Sequence, residues 1–199
     1  MPDFDIRKTI DNVGKLVERV NALTKSDVLV GVPSSKAGRK DGAITNASLA
    51  YIHEHGSPAQ NIPARPFLFP GVKKIRKQAL AMLKQGAQDA LSGNLTDVDK
   101  VLNKVGILAR NSVVNEITDP DPPFAPLKPD TIRARLRKTA GGRRKLRQAA
   151  KIRRDSDTGR SILTNDAALA RATAGMVFKP LIDSGQLRSA ITYVIVKRA

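Results

Sequence analysis

Two short proline-containing segments restrict the conformations open to this chain more than any other feature of its sequence. Residues 62–68 read Ile-Pro-Ala-Arg-Pro-Phe-Leu, and residues 180–187 read Pro-Leu-Ile-Asp-Ser-Gly-Gln-Leu. Proline fixes φ and holds the residue before it in an extended conformation, so in the first segment a helix can begin only beyond Pro66. In the second segment, Asp183 or Ser184 can cap a short helix that starts near Gln186. Both segments are therefore predicted to be rigid turns that lead into helices.

Apolar residues spaced three and four positions apart predict four longer helices. Their predicted bounds are residues 5–23, Pro66 to near Gly93, a capping box at 96–99 to Ile117, and Ile162 to Gly175. A shorter helix is predicted between a cap at Asn46 and a stop at Gly56 and Pro58. The second and third long helices are expected to pack as a hairpin, after which the prolines of residues 119–123 prevent further helix.

The strands predicted from the sequence are few and short. Apolar runs bounded by turn residues indicate strands at residues 27–32 and 191–196. Residues 34–42, rich in lysine, glycine and serine, are predicted to form a mobile loop. Because long helical spans separate the two strands, the pattern favours an α+β fold over a regularly alternating α/β sheet.

Length and composition favour one folded domain. The chain has 199 residues, 41% of them hydrophobic, which is enough for a substantial core. Aromatic residues make up only 4%, so no row of exposed rings is available to stack on nucleic-acid bases. The absence of cysteine excludes disulfides and thiolate metal sites and is compatible with a reducing cytoplasm. No leader-like start and no long apolar run occurs, so neither secretion nor membrane spanning is expected.

The positive charge is concentrated in one stretch. The formal net charge is +17, and residues 133–160 hold twelve basic residues against two aspartates. The basic residues are Arg133, Arg135, Arg137, Lys138, Arg143, Arg144, Lys145, Arg147, Lys151, Arg153, Arg154 and Arg160. Their spacing does not keep to one helical face, so we expect a mostly solvated stretch with a flexible loop at residues 141–145. Such a stretch could neutralise DNA phosphates or bind an acidic surface of a neighbouring protein.

The sequence contains no legible catalytic or metal site. The two histidines, His53 and His55, lie two residues apart on a predicted helix and point away from each other, which does not suit one metal ion. No serine has the Gly-x-Ser-x-Gly pattern of a nucleophile elbow. The aspartates within residues 119–130 lie among prolines and are typical of turns and caps. We therefore expect no enzymatic activity, no metal and no cofactor.

Short segments of this chain, which follow one another in a fixed order, resemble those of the neck and tail-completion proteins of long-tailed bacteriophages. Residues 50–56 (Ala-Tyr-Ile-His-Glu-His-Gly) precede the segment at 62–68, and residues 124–132 (Phe-Ala-Pro-Leu-Lys-Pro-Asp-Thr-Ile) precede the segment at 180–187. The resemblance implies a small antiparallel sheet packed with a long helix and a helical hairpin. We expect one domain, 1–199, with a basic loop or helical insertion at about 133–178, and this insertion departs from the family, which often holds the flanking segments closer together. The motif residues that carry the resemblance are Pro63, Pro66, Pro126, Leu127, Asp183, Ser184, Gly185 and Leu187.

The same resemblance implies a structural virion protein at the head–tail junction. It would be made in the bacterial host cytoplasm and would form a ring of six copies that joins head to tail. Its implied partners are neck adaptor or stopper proteins and tail-tube or terminator proteins, with no membrane. The alternative function is a basic nucleic-acid-binding accessory protein, and contact with packaged DNA is compatible with either.

The candidate interface residues fall into two groups. Arg65 lies between two prolines and could pair with a carboxylate at a subunit boundary, although a purely structural turn explains it equally well. Phe67 is expected in the core and is a candidate contact through the same turn. The second group is the basic stretch, namely Arg133, Arg135, Arg137, Arg143, Arg144, Lys145, Arg147, Lys151, Arg153 and Arg154.

Overall fold

The chain folds into a small sheet and a set of helices. The computed structural model describes residues 13–15, 17–18, 20–21, 24–39, 44–91, 98–119, 124–151 and 165–198. In chain order the elements are β1 (Ser26–Gly31), α1 (Asn46–His55), α2 (Leu68–Leu91), α3 (Val98–Thr118), α4 (Pro129–Lys138), α5 (Ala140–Lys151), α6 (Asn165–Thr173), α7 (Gln186–Ala190) and β2 (Thr192–Lys197). Short 3-10 turns occur at Ser34–Lys36 and Pro58–Gln60. Two compact units result, one of residues 1–122 with 185–199 and one of Pro123–Ser184.

The sheet of the first unit packs against α3. Strands β1 and β2 are antiparallel, with Ser26 opposite Lys197 and Gly31 opposite Thr192. The approach to α3 is close, because a Cβ added at Gly106 would lie 2.2 Å from Cδ2 of Tyr193. Only glycine leaves that space free. The Tyr193 hydroxyl donates a hydrogen bond of 2.8 Å to Oδ1 of Asn103 on the same helix.

Helices α2 and α3 form the hairpin that the apolar spacing predicts. The Ser112 hydroxyl donates to the Gly71 carbonyl at 2.7 Å, which ties the start of α2 to the end of α3. The buried apolar side of α3 carries Val98, Val101, Leu102, Val105, Ala109, Val113 and Ile117. One charged group, Glu116, is also buried there and pairs with Lys74 of α2. The hydrogen bond that the Lys74 ammonium donates to the Glu116 carboxylate raises the pKa of Lys74 above its ordinary value.

The second unit is built from α4, α5 and α6. Its buried apolar residues are Leu136, Ala149, Leu169, Ala172 and Leu181. Thr139 separates α4 from α5, and its hydroxyl accepts a hydrogen bond of 3.0 Å from the Gly142 amide, as an N-cap does. A Cβ at Gly142 would lie 2.2 Å from the Leu136 carbonyl oxygen, so the tight junction between the two helices requires glycine.

The architecture confirms the predicted α+β class. Each strand is displaced by one residue from its predicted position, and the long helix after Pro66 and the short helix ending before Gly56 are present. The described residues between 13 and 24 are helical, as the helix predicted at 5–23 requires. Residues 5–12 of that helix and residues 96–97 of the predicted capping box lie outside the described residues. No helix within the described ranges has an apolar stretch long enough to cross a membrane.

Three local predictions are wrong. Residues 141–145 are the first turns of α5 instead of a flexible loop, because Thr139 caps them and Gly142 fits against α4. Thr45, not Asn46, is the N-cap of α1 and accepts from the Ser48 amide at 3.1 Å. Gly185 precedes α7 without any side-chain cap from Asp183 or Ser184.

The basic stretch belongs to the second unit. The insertion predicted at 133–178 lies inside the unit Pro123–Ser184. This unit also contains Pro126 and the other residues that lead into α4. Helices account for most of its described residues. The chain therefore forms two compact units, and the predicted insertion lies in the second.

Candidate interaction surfaces

The segment at 62–68 is fixed by one carboxylate from α1. Oε2 of Glu54 accepts hydrogen bonds from the Phe67 and Leu68 amides, and Oε1 accepts one from the Phe69 amide, each at 2.9 Å. These amides lie at the N-terminus of α2, where no carbonyl of the helix can satisfy them. Glu54 therefore caps α2 from another helix, and its negative charge also suits the positive end of the helix dipole.

Arg65 and Phe67 are both internal. Arg65 is 5% exposed and Phe67 is 1% exposed, and the Arg65 amide donates to the His53 carbonyl at 2.6 Å. Both side chains are buried within the chain, and the role of these residues in a subunit interface stays a prediction. Their place is in the packing between α1 and the start of α2, which explains why this motif tolerates so little conformational freedom.

The segment at 180–187 is held by an arginine of α4. Nη1 of Arg135 donates to the carbonyls of Lys179 and Ile182 at 2.8 and 2.9 Å, and Nη2 donates to the Pro180 carbonyl at 2.9 Å. The Asp183 carboxylate lies 3.8 Å from Nε of the same arginine. The planar guanidinium thus joins three carbonyls of one turn.

The electrostatics of Arg135 follow from its burial. Its side chain is 16% exposed, and this burial lowers the pKa of the guanidinium from its ordinary value while Asp183 opposes the change. An arginine stays charged under such a shift because its ordinary pKa is so high. The residue is therefore a structural cation of the second unit, and its contact with a partner stays a prediction.

Two further cations of α4 have partners inside the same unit. Arg133 bridges Asp130 and Asp166 at 2.7 Å each, which links α4 to α6. The Lys138 ammonium binds the Asp183 carboxylate. Arg133 therefore links two helices within the unit, and its role in a partner interface stays a prediction.

The remaining described cations of the stretch lie on the surface. Arg137, Arg143, Arg144, Lys145 and Arg147 are all exposed. Nη1 of Arg143 donates to the Arg137 carbonyl at 3.0 Å, and the Lys145 ammonium lies 3.5 Å from Sδ of Met176. Nothing is described of the Lys151 side chain, and Arg153 and Arg154 lie outside the described residues. The arginines of α5 and Arg137 are thus the part of the predicted basic surface that faces solvent.

A second surface, on the first unit, is apolar. A groove of about 540 Å³ is lined by residues 28–30 of β1 and by apolar residues of α2. Several of its side chains are exposed, namely Leu29 (55%), Phe69 (70%), Val72 (39%) and Leu80 (56%). Val194, which lies opposite Leu29 in the sheet, is 44% exposed and extends the apolar surface across β2. The groove could not be predicted from the sequence, because its residues come from elements far apart in the chain.

The residues considered for metal binding do not converge. His53 and His55 both lie on α1, as predicted, and His55 stacks beside Tyr51 with ring centroids 4.5 Å apart. Glu54, between them, is occupied with the amides of α2. In the part of the chain that the structure describes, no group of three histidine, aspartate or glutamate side chains is arranged to hold a metal ion.

Comparison with known proteins gives little further information. No protein-family model matches the chain, and no solved structure matches it. An uncharacterized protein of Methanocaldococcus jannaschii is 35% identical over 77 residues, which is 38% of this chain and 56% of that protein. The chain therefore spans little more than half the length of that relative, and the similarity carries no named function.

Proposed function

We propose that the chain is a structural virion subunit that forms a homo-oligomeric ring at the phage head–tail junction. The observation that carries this proposal is the exposed apolar groove of the first unit. Soluble monomers rarely expose large contiguous apolar patches, and such patches mark sites of association. The motif resemblance supplies the phage context and the six copies, and the proposed role is assembly and not catalysis.

The proposed occupant of the groove is a second copy of the same chain. The helical residues before β1 carry Val13 and Val17, four positions apart on one helical side and 55% and 53% exposed. An apolar helix side is the shape that fits an apolar groove. The groove and this helix side are different surfaces of one chain, so the contact between copies is head-to-tail, and such a contact closes into a ring when its rotation allows.

The sheet supports the same interpretation. Among the described residues, β1 and β2 pair only with each other, so each strand has one unpaired edge. A two-stranded sheet is marginal by itself, and an unpaired edge is a template for another chain. Residues 28–30 of β1 line the groove, so a neighbouring copy can cover apolar side chains and strand backbone together.

Electron microscopy and light scattering test the proposal. The purified chain, alone and mixed with heads and tails of the phage that carries its gene, should give ring-shaped particles and should bind to one of these parts. The expected partners are the neck adaptor or stopper on the head side and the tube or terminator on the tail side. A chain that stays monomeric at every concentration and binds neither heads nor tails would contradict it.

A further inference from the structure

We propose that an arginine face on the second unit binds the phosphate backbone of double-stranded DNA. We define the arginine face as Arg137, Arg143, Arg144 and Arg147, all of them exposed. The inference rests on the charge arrangement of the second unit alone. It is independent of the ring proposal, which rests on the apolar groove of the first unit.

Among the described residues of the second unit, no carboxylate neutralises the arginine face. The described carboxylates of the second unit are Asp130, Asp166 and Asp183, and all three bind cations of α4. Within the described part of this unit, no ion pair joins a carboxylate to the arginine face. The described carboxylates of the unit are thus taken by Arg133, Arg135 and Lys138, and none of them pairs with the arginine face.

The arginine face is held in place by the fold. Gly142 and Ala149 of α5 are buried, and Leu146 between them is partly buried, so this side of the helix points into the unit. With 100° per residue, positions 143, 144 and 147 then point away from it. The Thr139 cap fixes the first turn of α5, and the hydrogen bond from Arg143 to the Arg137 carbonyl brings α4 into the same face.

The composition of the face favours phosphates over protein and over bases. Protein interfaces are built around an apolar core with aromatic anchors, and the arginine face has neither. Stacking on bases requires aromatic rings, which the face also lacks. What it offers is guanidinium groups, whose fork geometry matches phosphate. Arg143 and Arg147 lie about 6 Å apart along the helix axis. Duplex DNA carries one charge per about 1.7 Å of its axis, counted over both strands, so it offers a dense array of phosphates to such a face.

The direct test compares two double variants of the full chain. Arg144→Gln/Arg147→Gln removes two charges from the arginine face, whereas Lys73→Gln/Lys77→Gln removes two charges from exposed positions of α2 in the first unit. Binding is measured by fluorescence anisotropy with a labelled mixed-sequence duplex between about 50 and 200 mM salt. Circular dichroism confirms that both variants are folded.

The expected result is a change in salt dependence that is specific to the arginine face. Each lost phosphate contact lowers the slope of log K against log salt by about 0.9, so the arginine variant should lose about 2 from the slope and the lysine variant close to none. Equal losses in both variants, or no binding of the duplex by the unmodified chain at low salt, would overturn the proposal. So would equally tight binding of poly-glutamate with the same loss in the arginine variant, because the partner would then be an acidic protein.

Discussion

The Glu54 carboxylate connects α1 to the start of α2. Glu54 accepts three amide hydrogen bonds at the start of α2, and each is a bond to a charged acceptor. Such bonds contribute more than neutral ones, and they also orient the helix that carries the apolar groove. Glu54, which lies between His53 and His55, thus has a structural function as the cap of α2.

Replacing Glu54 should therefore destabilise the first unit. We expect Glu54→Ala to lower the free energy of unfolding by about 3 kcal/mol, because a cap and two further charge-assisted bonds are lost. Glu54→Gln keeps one acceptor oxygen and should lose less. Chemical denaturation followed by circular dichroism measures both, and equal stability of Glu54→Ala and the unmodified chain would show that the cap is not needed.

Arg135 plays the corresponding role in the second unit. Arg135→Lys keeps a positive charge but cannot donate to three carbonyls in the fork geometry of arginine, so the turn at 179–183 should loosen. We expect a loss of about 2 kcal/mol, since several bonds from a charged donor are removed at once. Hydrogen exchange of the Ile182 amide, which donates to the Lys179 carbonyl, should become faster.

The matched control for Arg135 is on the same helix. Arg137→Lys makes the same chemical change at an exposed position of α4. It should leave the exchange rate of the Ile182 amide and the stability unchanged within about 0.5 kcal/mol. If both variants accelerate exchange equally, the fork geometry of Arg135 is not what holds the turn.

At the scale of elements, the junction between α4 and α5 depends on one of two adjacent glycines. A Cβ at Gly142 would meet the Leu136 carbonyl, whereas a Cβ at Gly141 meets nothing within 4 Å. Gly142→Ala should therefore cost about 1–3 kcal/mol or more through overpacking against backbone. Gly141→Ala should stabilise the chain by up to about 1 kcal/mol, because alanine favours helix over glycine. Thermal unfolding measures whether each variant is more or less stable than the unmodified chain. A change in stability of the same sign in both variants would contradict this account.

The elements themselves could be predicted from the sequence, because helices and strands follow local periodicity. Their ends were harder to predict. Asn46 is a good cap by type, but its side chain donates to the Lys36 and Gly38 carbonyls, so Thr45 takes the cap position. Asp183 could cap α7 by type too, but its carboxylate is taken by α4. Tertiary contacts determine the cap in both cases, and such contacts cannot be predicted from neighbouring residues in the sequence.

The site could be predicted only in part, for the same reason. The concentration of charge was visible in the sequence, but the division between paired and exposed arginines depends on which aspartates the fold brings near. Arg133 meets Asp166 from 33 positions away, while Arg144 and Arg147 meet no described carboxylate. Spacing along the chain cannot separate these cases, because the partners come from other elements.

At the scale of the whole molecule, the apolar groove should control self-association. Leu29→Lys/Leu80→Lys places two charges in the groove at positions that are already 55% and 56% exposed, so the fold should survive. We expect the oligomer to dissociate, because a lysine at an apolar interface must be desolvated without a partner. Light scattering measures the mass.

The control for the groove is an exposed apolar residue elsewhere on the first unit. Ile107 is 48% exposed on α3 and does not line the groove. Ile107→Lys should leave the oligomer intact, whereas Val13→Lys/Val17→Lys should dissociate it as the groove variant does. Dissociation by Ile107→Lys alone would place the interface on another surface.

Salt should separate the two proposed activities of the full chain. Raising salt from about 50 to 200 mM should weaken DNA binding by orders of magnitude, since phosphate contacts release counterions. The same change should leave self-association in place, because apolar burial does not depend on screening. Light scattering and anisotropy on the same sample would reveal both responses, and parallel loss of the two would mean that one surface serves both.

The contact between Tyr193 and α3 provides an optical reporter within the chain. The protein has two tyrosines and no tryptophan, and Tyr51 is 66% exposed. Tyr51→Phe would leave Tyr193 as the single tyrosine of the chain, with its ring against Gly106 and its hydroxyl on Asn103. Its emission would then change whenever β2 separates from the helix, so movement of the sheet during assembly can be followed in solution without a dye.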